Sequence, residues 1–145
     1  MSRGFTLIET MIVLAIMSIL FAIAQPDFAK MISARQTRAV ADELYADVYW
    51  AREEAIKRKE GVAVTLGAGG WAVTTTNGAL LKTYVSKYAK VQVTGSDFTF
   101  DGIRGLTAGS VVTVGGANAG SVSMNVLALG FADICSNDIG GFGKC

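Results

Sequence analysis

Glu9 is the one ionisable side chain in an apolar run of twenty residues, Phe5 to Ala24, FTLIETMIVLAIMSILFAIA. A carboxylate in that setting has two readings. It can sit one turn from a helix start, reach the lipid headgroups and favour the positive end of the helix dipole. Alternatively, it is held for a cationic partner. A charge in such a segment costs about 2.5–3.5 kcal/mol at the helix centre and less near an end, so it normally marks a specific partner. The Gly4–Phe5 peptide bond is a second candidate for chemistry. Arg3 and Gly4 both precede the apolar run, whereas an ordinary secretory signal places its small-residue cleavage site after it. Cutting at Gly4 would leave the hydrophobic helix on the mature chain with a new amino group at Phe5, which makes the segment an anchor and not a discarded signal.

Cys135 and Cys145 are the only cysteines, and they bracket SNDIGGFGK. They read either as a bridge or as two unrelated free thiols. A bridge across so short a loop contributes about 2–3 kcal/mol by chain-entropy reasoning and implies an oxidising compartment. Free thiols beside a flexible terminus would be reactive liabilities, so the bridge is expected. Histidine is absent, which removes the commonest general base and metal ligand. Two cysteines exclude zinc clusters, and no metal or cofactor is expected. Glu53 and Glu54 read as part of a solvated helix face. Leu66 to Gly70, LGAGG, lacks the Lys-Ser/Thr and helix start that phosphate cradling needs, and reads as a hairpin loop. The thirteen basic and twelve acidic residues are interleaved, for a net charge of +1, and composition shows no nucleic-acid footprint.

The elements that must position these groups follow from periodicity. Twenty residues at 1.5 Å rise give a helix about 30 Å long, enough to cross a bilayer's hydrocarbon. Pro26 then kinks or ends that helix, and the pattern beyond it favours a kink. From Asp27 there is no further proline and no glycine until Gly61. Val40, Leu44, Val48, Ala51, Ala55 and Ile56 form one apolar stripe. The opposite face carries Arg38, Asp42, Glu43, Asp47, Arg52, Glu53, Glu54, Lys57 and Arg58, with Glu53–Lys57 and Glu54–Arg58 in the favourable i, i+4 order. Lys57, Arg58 and Lys59 meet the negative end of the dipole before Gly61 stops the helix; this basic run reads as capping and solubility, not a nucleic-acid contact.

Past Gly61 the texture is β. Val62 to Leu66, Trp71 to Thr75, Leu80 to Tyr84, Tyr88 to Thr94, Phe98 to Phe100, Val111 to Val114 and Val122 to Leu129 make about seven strands, with Asn77-Gly78 as a type I′ hairpin turn. A meander with one apolar face and a helix with one apolar stripe bury each other. The expected fold is α+β, a long N-terminal α-helix, half membrane and half amphipathic, packed on an antiparallel β-sheet head. The expected division is residues 1–4 leader, 5–24 transmembrane and assembly helix, 25–60 amphipathic helix continuing into the head, and 61–145 β-rich head with a C-terminal disulfide loop. Trp71, Phe98, Phe100 and Phe131 are expected in the core. Trp50 and Tyr45 are expected either to pack on the sheet or to face a neighbouring subunit.

Arg3-Gly4-Phe5-Thr6-Leu7-Ile8-Glu9 resembles the class III signal of type IV pilins and type II secretion pseudopilins. That resemblance implies that a prepilin peptidase cuts after Gly4 and methylates the new amine of Phe5. It implies too that Glu9 pairs with the N-terminal amine of a neighbouring subunit during assembly. The physics suits the role: carboxylate and ammonium are each costly alone in lipid, and their attraction grows as the dielectric falls, so Glu9 can sense register as a subunit docks. Pro26 matches the family's proline, where the helix loosens within a filament. Ala51 to Arg58, Gly70-Trp71 and Phe100-Asp101-Gly102-Ile103-Arg104-Gly105 are similar to segments of the FimT/GspH-like minor pilins and pseudopilins, the last with one residue inserted or replaced. A disulfide-closed C-terminal loop also resembles many pilins of Gram-negative bacteria.

The resemblance implies no enzyme but a structural subunit of a type IV pilus tip or initiation complex, or of a type II secretion pseudopilus. Its implied partners are other pilin or pseudopilin subunits, the prepilin peptidase and an inner-membrane assembly platform. Its implied location is the bacterial inner membrane, single-pass with a periplasmic head, and the fibre once assembled. The charge rule alone does not settle that orientation, because Arg3 lies on one side of the apolar run and Lys30, Arg35 and Arg38 on the other. The alternative is a DNA-binding minor pilin for DNA uptake, which in such relatives uses a Gly-Arg-x-Arg motif near the C-terminus. Here that stretch is Gly130-Phe131-Ala132-Asp133, with both arginines missing. Lys144 is the remaining candidate DNA contact, with Lys82, Lys87, Lys90 and Arg104 elsewhere in the head, while Asp133 and Asp138 repel phosphate nearby.

Overall fold

The computed structural model describes residues 6–117 and 119–145. One helix, α1 (Leu7–Arg58), runs for 52 residues, about 78 Å. Thr6 caps its start in extended backbone, its hydroxyl accepting the Glu9 N–H at 3.3 Å. The helix is continuous through Pro26, whose ring removes the donor that the Ala22 carbonyl would otherwise take. It ends at Lys59, which takes the left-handed conformation (φ 55°), while Glu60 N–H returns to the Ala55 carbonyl at 3.2 Å. The stop therefore falls two residues before the expected Gly61. Gly102 packs against this terminus so closely that a Cβ would collide with the Lys59–Glu60 backbone, and the turn carrying it is thereby seated on the helix end.

Eight strands follow, all paired antiparallel: β1 (Val62–Gly67), β2 (Gly70–Thr75), β3 (Leu80–Val85), β4 (Val91–Gly95), β5 (Phe98–Phe100), β6 (Ser110–Gly116), β7 (Gly120–Val126) and β8 (Ala132–Cys135). They form two four-stranded sheets, β3-β2-β1-β5 and β4-β6-β7-β8, in place of the expected single meander. The break lies after β3. Tyr88 and the residues beside it form a turn, with Ser86 Oγ accepting the Tyr88 N–H at 3.1 Å, so the expected strand from Tyr88 shortens to β4 and joins β6. β5 then returns to β1, Val62 facing Phe100 and Val64 facing Phe98. The chain also leaves the sheet after Val126, where Leu127 N–H and the Phe131 carbonyl close a turn at 2.7 Å into β8, an eighth strand with no alternation of its own.

The glycine-flanked hairpin joins β1 to β2 with Gly67 opposite Gly70. The Asn77-Gly78 turn differs from the expected two-residue form. Gly78 alone takes a positive φ (88°) and its N–H bonds the Thr75 carbonyl at 2.9 Å, while Thr75 and Ala79 close a longer loop. One core lies between the upper half of α1 and both sheets. Val40, Leu44 and Val48 meet Val62, Val64 and Val73 of one sheet and Val112, Val114 and Val122 of the other. Trp71, Phe98 and Phe100 are buried with them, and Tyr45 and Trp50 pack half-buried against the same cluster. Phe131, expected inside, is 48% exposed.

Candidate functional site

Below the head, α1 projects without tertiary cover. Leu7, Ile8, Leu14, Leu20, Phe21 and Ile23 are all exposed, and the most apolar 18-residue window, of mean hydropathy 2.5, is entirely unburied. A bare apolar rod of this length has to be covered by lipid or by other rods. Between Leu7 and Ala24 three side chains are polar: Glu9, Thr10 and Ser18. The Thr10 and Ser18 hydroxyls each donate to a carbonyl of their own helix, Leu7 and Ala15, at 2.7 Å, the usual way to satisfy a hydroxyl inside lipid. Glu9 differs. Its backbone N–H is capped by Thr6, but among the described residues its carboxylate has neither a hydrogen-bond donor nor a cation within 4 Å. Among the described residues, this carboxylate on the first turn of an apolar surface is therefore left without a partner. Gly4 and Phe5, the expected processing residues, lie outside the described residues.

The upper rod is fixed to the head by polar contacts that the expected solvated face did not include. Asp47 is 3% exposed. One of its oxygens takes the Trp71 indole N–H at 2.8 Å and the other takes the Lys82 ammonium at 2.5 Å. The hydrogen bond to Asp47 raises the Lys82 pKa against the opposing effect of burial. Tyr84 stacks on Trp71 with centroids 4.0 Å apart, and burial raises its phenol's pKa. The missed signal was in the spacing: Val40, Leu44, Asp47 and Ala51 fall on one stripe at 3.6 residues per turn. Ile56 lies about 160° round from Val40 on the same arithmetic, and it is 41% exposed in place of the buried position expected for it.

Arg52 is also drawn into the head. Its guanidinium donates to the carbonyls of Gly105 at 3.2 Å and Leu129 at 3.4 Å, and lies 4.6 Å from the Phe131 ring centroid. Gly105 and Gly130 are both at positive φ (64° and 80°), and a Cβ on either would strike Arg52. Arg52 therefore clips two loops to the rod, and the exposed Phe131 acts as its platform. On the outer face, Glu53–Lys57 at 3.7 Å and Glu54–Arg58 at 2.6 Å form as expected.

At the C-terminus Cys135 and Cys145 are disulfide-linked with Cα atoms 5.0 Å apart. Ser136 organises the loop, accepting the Asp138 and Ile139 N–H groups and donating to Ser121. Arg38 donates to the Gly140 carbonyl at 3.3 Å and lies over the Phe142 ring. The structure does not support the DNA-binding alternative. Lys144 is exposed on this tail, but Lys82 is engaged by Asp47, the Phe131 platform is taken by Arg52, and Asp133 is exposed in the same segment. No group of residues able to hold a metal ion occurs among those described.

Known proteins place this architecture. The family model described as "Type II transport protein GspH" matches residues 40–130, and the one described as "Prokaryotic N-terminal methylation motif" matches residues 1–25. A type IV major alpha-pilin and a fimbrial protein Q, both of Moraxella bovis, are each 57% identical over 44 residues, 30% of this chain. Those matches span 28% of the relatives' own length. Two crystal structures of the Pseudomonas aeruginosa type IV minor pilin FimU share the fold. One has a TM-score of 0.60 at 16% identity, covering 69% of this chain and 88% of FimU; the other has 0.56 at 15%, covering 67% and 90%.

Proposed function

Since the chain belongs to the GspH family of type II transport proteins and carries the prokaryotic N-terminal methylation motif, we propose that it is a minor pilin or pseudopilin. It serves as a membrane-anchored structural subunit of a type IV pilus tip or initiation complex, or of a type II secretion pseudopilus. In this reading a prepilin peptidase removes Met1 to Gly4 and methylates Phe5. The rod waits in the inner membrane with its head in the periplasm, and an assembly platform moves it into a bundle with other pilin or pseudopilin rods. Pro26 is the point at which the rod loosens as it enters that bundle.

The observation that carries the proposal is the chemistry of the first turn. Of the three polar side chains between Leu7 and Ala24, two bond within their own helix, and Glu9 has no side-chain partner among the described residues. A neighbouring subunit's N-terminal ammonium, brought to the depth of Glu9, relieves two desolvation costs in one contact. Axial misplacement by a single turn, about 5.4 Å, would leave both charges unmatched, so the pair selects register as well as partner. The head contributes shape, held rigidly to the rod by Asp47, Arg52 and Arg38.

The test is Glu9→Ala in cells that make the fibre. The expected result is unchanged membrane insertion and unchanged removal of the leader, with loss from the sheared fibre fraction. Incorporation at the wild-type level would overturn the assembly role. A bulky substitution at Gly4 gives the complementary outcome: the chain remains in the membrane, heavier by Met1 to Gly4 and without the added methyl, as read by intact-protein mass spectrometry.

A further inference from the structure

Where the rod leaves the head there is a groove that neither the Glu9 contact nor the core packing requires. Pro26, Lys30 and Ser33 of α1 form one wall, and Lys87, Tyr88 and Lys90 of the turn between β3 and β4 contribute to the other, enclosing about 680 Å³. All three lysines are exposed, and among the described residues none has a carboxylate within 4 Å. The nearest acid along the helix is Asp27, which does not line the groove. Three cations gathered around one opening repel one another unless an anion joins them.

Depth along the rod indicates which anion. The apolar run ends at Ala24, and Lys30 follows six residues later, about 9 Å along the axis. The headgroup layer occupies about 5–8 Å on each side of the hydrocarbon, within reach of lysine ammoniums that extend back along their own alkyl stems. Half-buried Tyr88 supplies an aromatic ring with a polar tip at the same level, a residue type favoured at membrane interfaces. Basic residues just beyond the outward end of a span also run against the usual charge bias, and an anionic lipid gives them a role.

We infer that this groove holds the phosphate-bearing headgroup of an anionic membrane phospholipid while the subunit resides in the bilayer. The inference rests on the anchor reading of α1. The bound headgroup ties the base of the head to the membrane surface through Lys30 on the rod and Lys87 and Lys90 on the head. It thereby fixes the tilt of the rod around Pro26, and it is given up when the rod is extracted into a fibre.

The full chain in nanodiscs tests this by reductive dimethylation of its lysines, read residue by residue by mass spectrometry. Nanodiscs of phosphatidylcholine alone are compared with nanodiscs containing phosphatidylglycerol. Lys30, Lys87 and Lys90 should react about fivefold more slowly with the anionic lipid, the worth of one basic residue at such a surface. High salt should remove the difference, and Lys57, Lys59 and Lys144 should not change. Lys87→Gln combined with Lys90→Gln, both on the surface, should release Lys30 from protection. Equal rates in the two nanodiscs, or full protection of Lys30 in the double variant, would overturn the inference. So would equal protection by inorganic phosphate added to phosphatidylcholine nanodiscs, which would make the groove a site for free anions. Failure of the chain to co-migrate with either nanodisc would overturn the anchor and the lipid site together, and is seen separately from the lysine rates.

Discussion

Truncating Asp47 to alanine strips two bonds from the junction of rod and head. The carboxylate, 3% exposed, holds the Trp71 indole N–H at 2.8 Å and the Lys82 ammonium at 2.5 Å. Trp71 is itself 3% exposed, so its N–H loses its partner without gaining water, at a cost of about 1–3 kcal/mol. The Lys82 side chain is 40% exposed and can turn to solvent, which reduces the penalty of a broken buried pair to about 1 kcal/mol. The sum is a loss of about 2–4 kcal/mol of folding stability. Asparagine keeps an oxygen for the indole and gives up only the charge, so Asp47→Asn should lose about 1 kcal/mol. Urea unfolding of the full chain in mild detergent, followed by tryptophan fluorescence, reads both variants, and an unchanged denaturant slope licenses the comparison. An Asp47→Ala chain within about 0.5 kcal/mol of the parent, the range of ordinary surface substitutions, would refute the reasoning.

The same junction sets a pH dependence. The Lys82 pKa is raised above its ordinary value of 10.5, so its contribution is fully present below that value and is lost as pH rises through the higher folded-state pKa. An alkaline unfolding series should show this loss in the parent and a flatter profile in Lys82→Met, and identical profiles would contradict it. Arg52→Ala should cost about 1–2 kcal/mol by freeing the Gly105 and Leu129 carbonyls and uncovering Phe131. Arg52→Lys should recover little, because one ammonium cannot span both carbonyls while stacking on the ring. Urea midpoints check both variants, and full recovery by lysine would show that charge alone suffices.

What was legible in the sequence was whatever local periodicity or chemistry could carry. An apolar run of that length announces the uncovered half of the rod, and alternation at Val62, Val64 and Leu66 against Trp71, Val73 and Thr75 gives the first hairpin with its glycine turn. The division into two sheets was hidden, because β5 pairs with β1 across the intervening β2, β3 and β4, and nothing in three residues of Phe-Thr-Phe specifies that partner. Asp47 departs from the solvated face expected for it because position along the helix outweighs residue type. A carboxylate is usually a surface residue, yet this one stands in the middle of the helix's own apolar stripe, where only the Trp71 and Lys82 donors, both distant in sequence, make it tolerable. Lys59 shows the converse: glycine is the expected left-handed cap, yet a lysine takes that conformation two residues before Gly61.

The carboxylate on the first turn can be tested for its partner directly with a zero-length carbodiimide, which joins an acid and an amine only where they already touch. Assembled fibres containing the chain, digested and read by tandem mass spectrometry, should yield a Glu9 peptide joined to the N-terminal residue of a neighbouring subunit. The same chain dispersed in detergent should not. A Glu9 that forms no such link in fibres, or forms it equally when dispersed, would contradict the account.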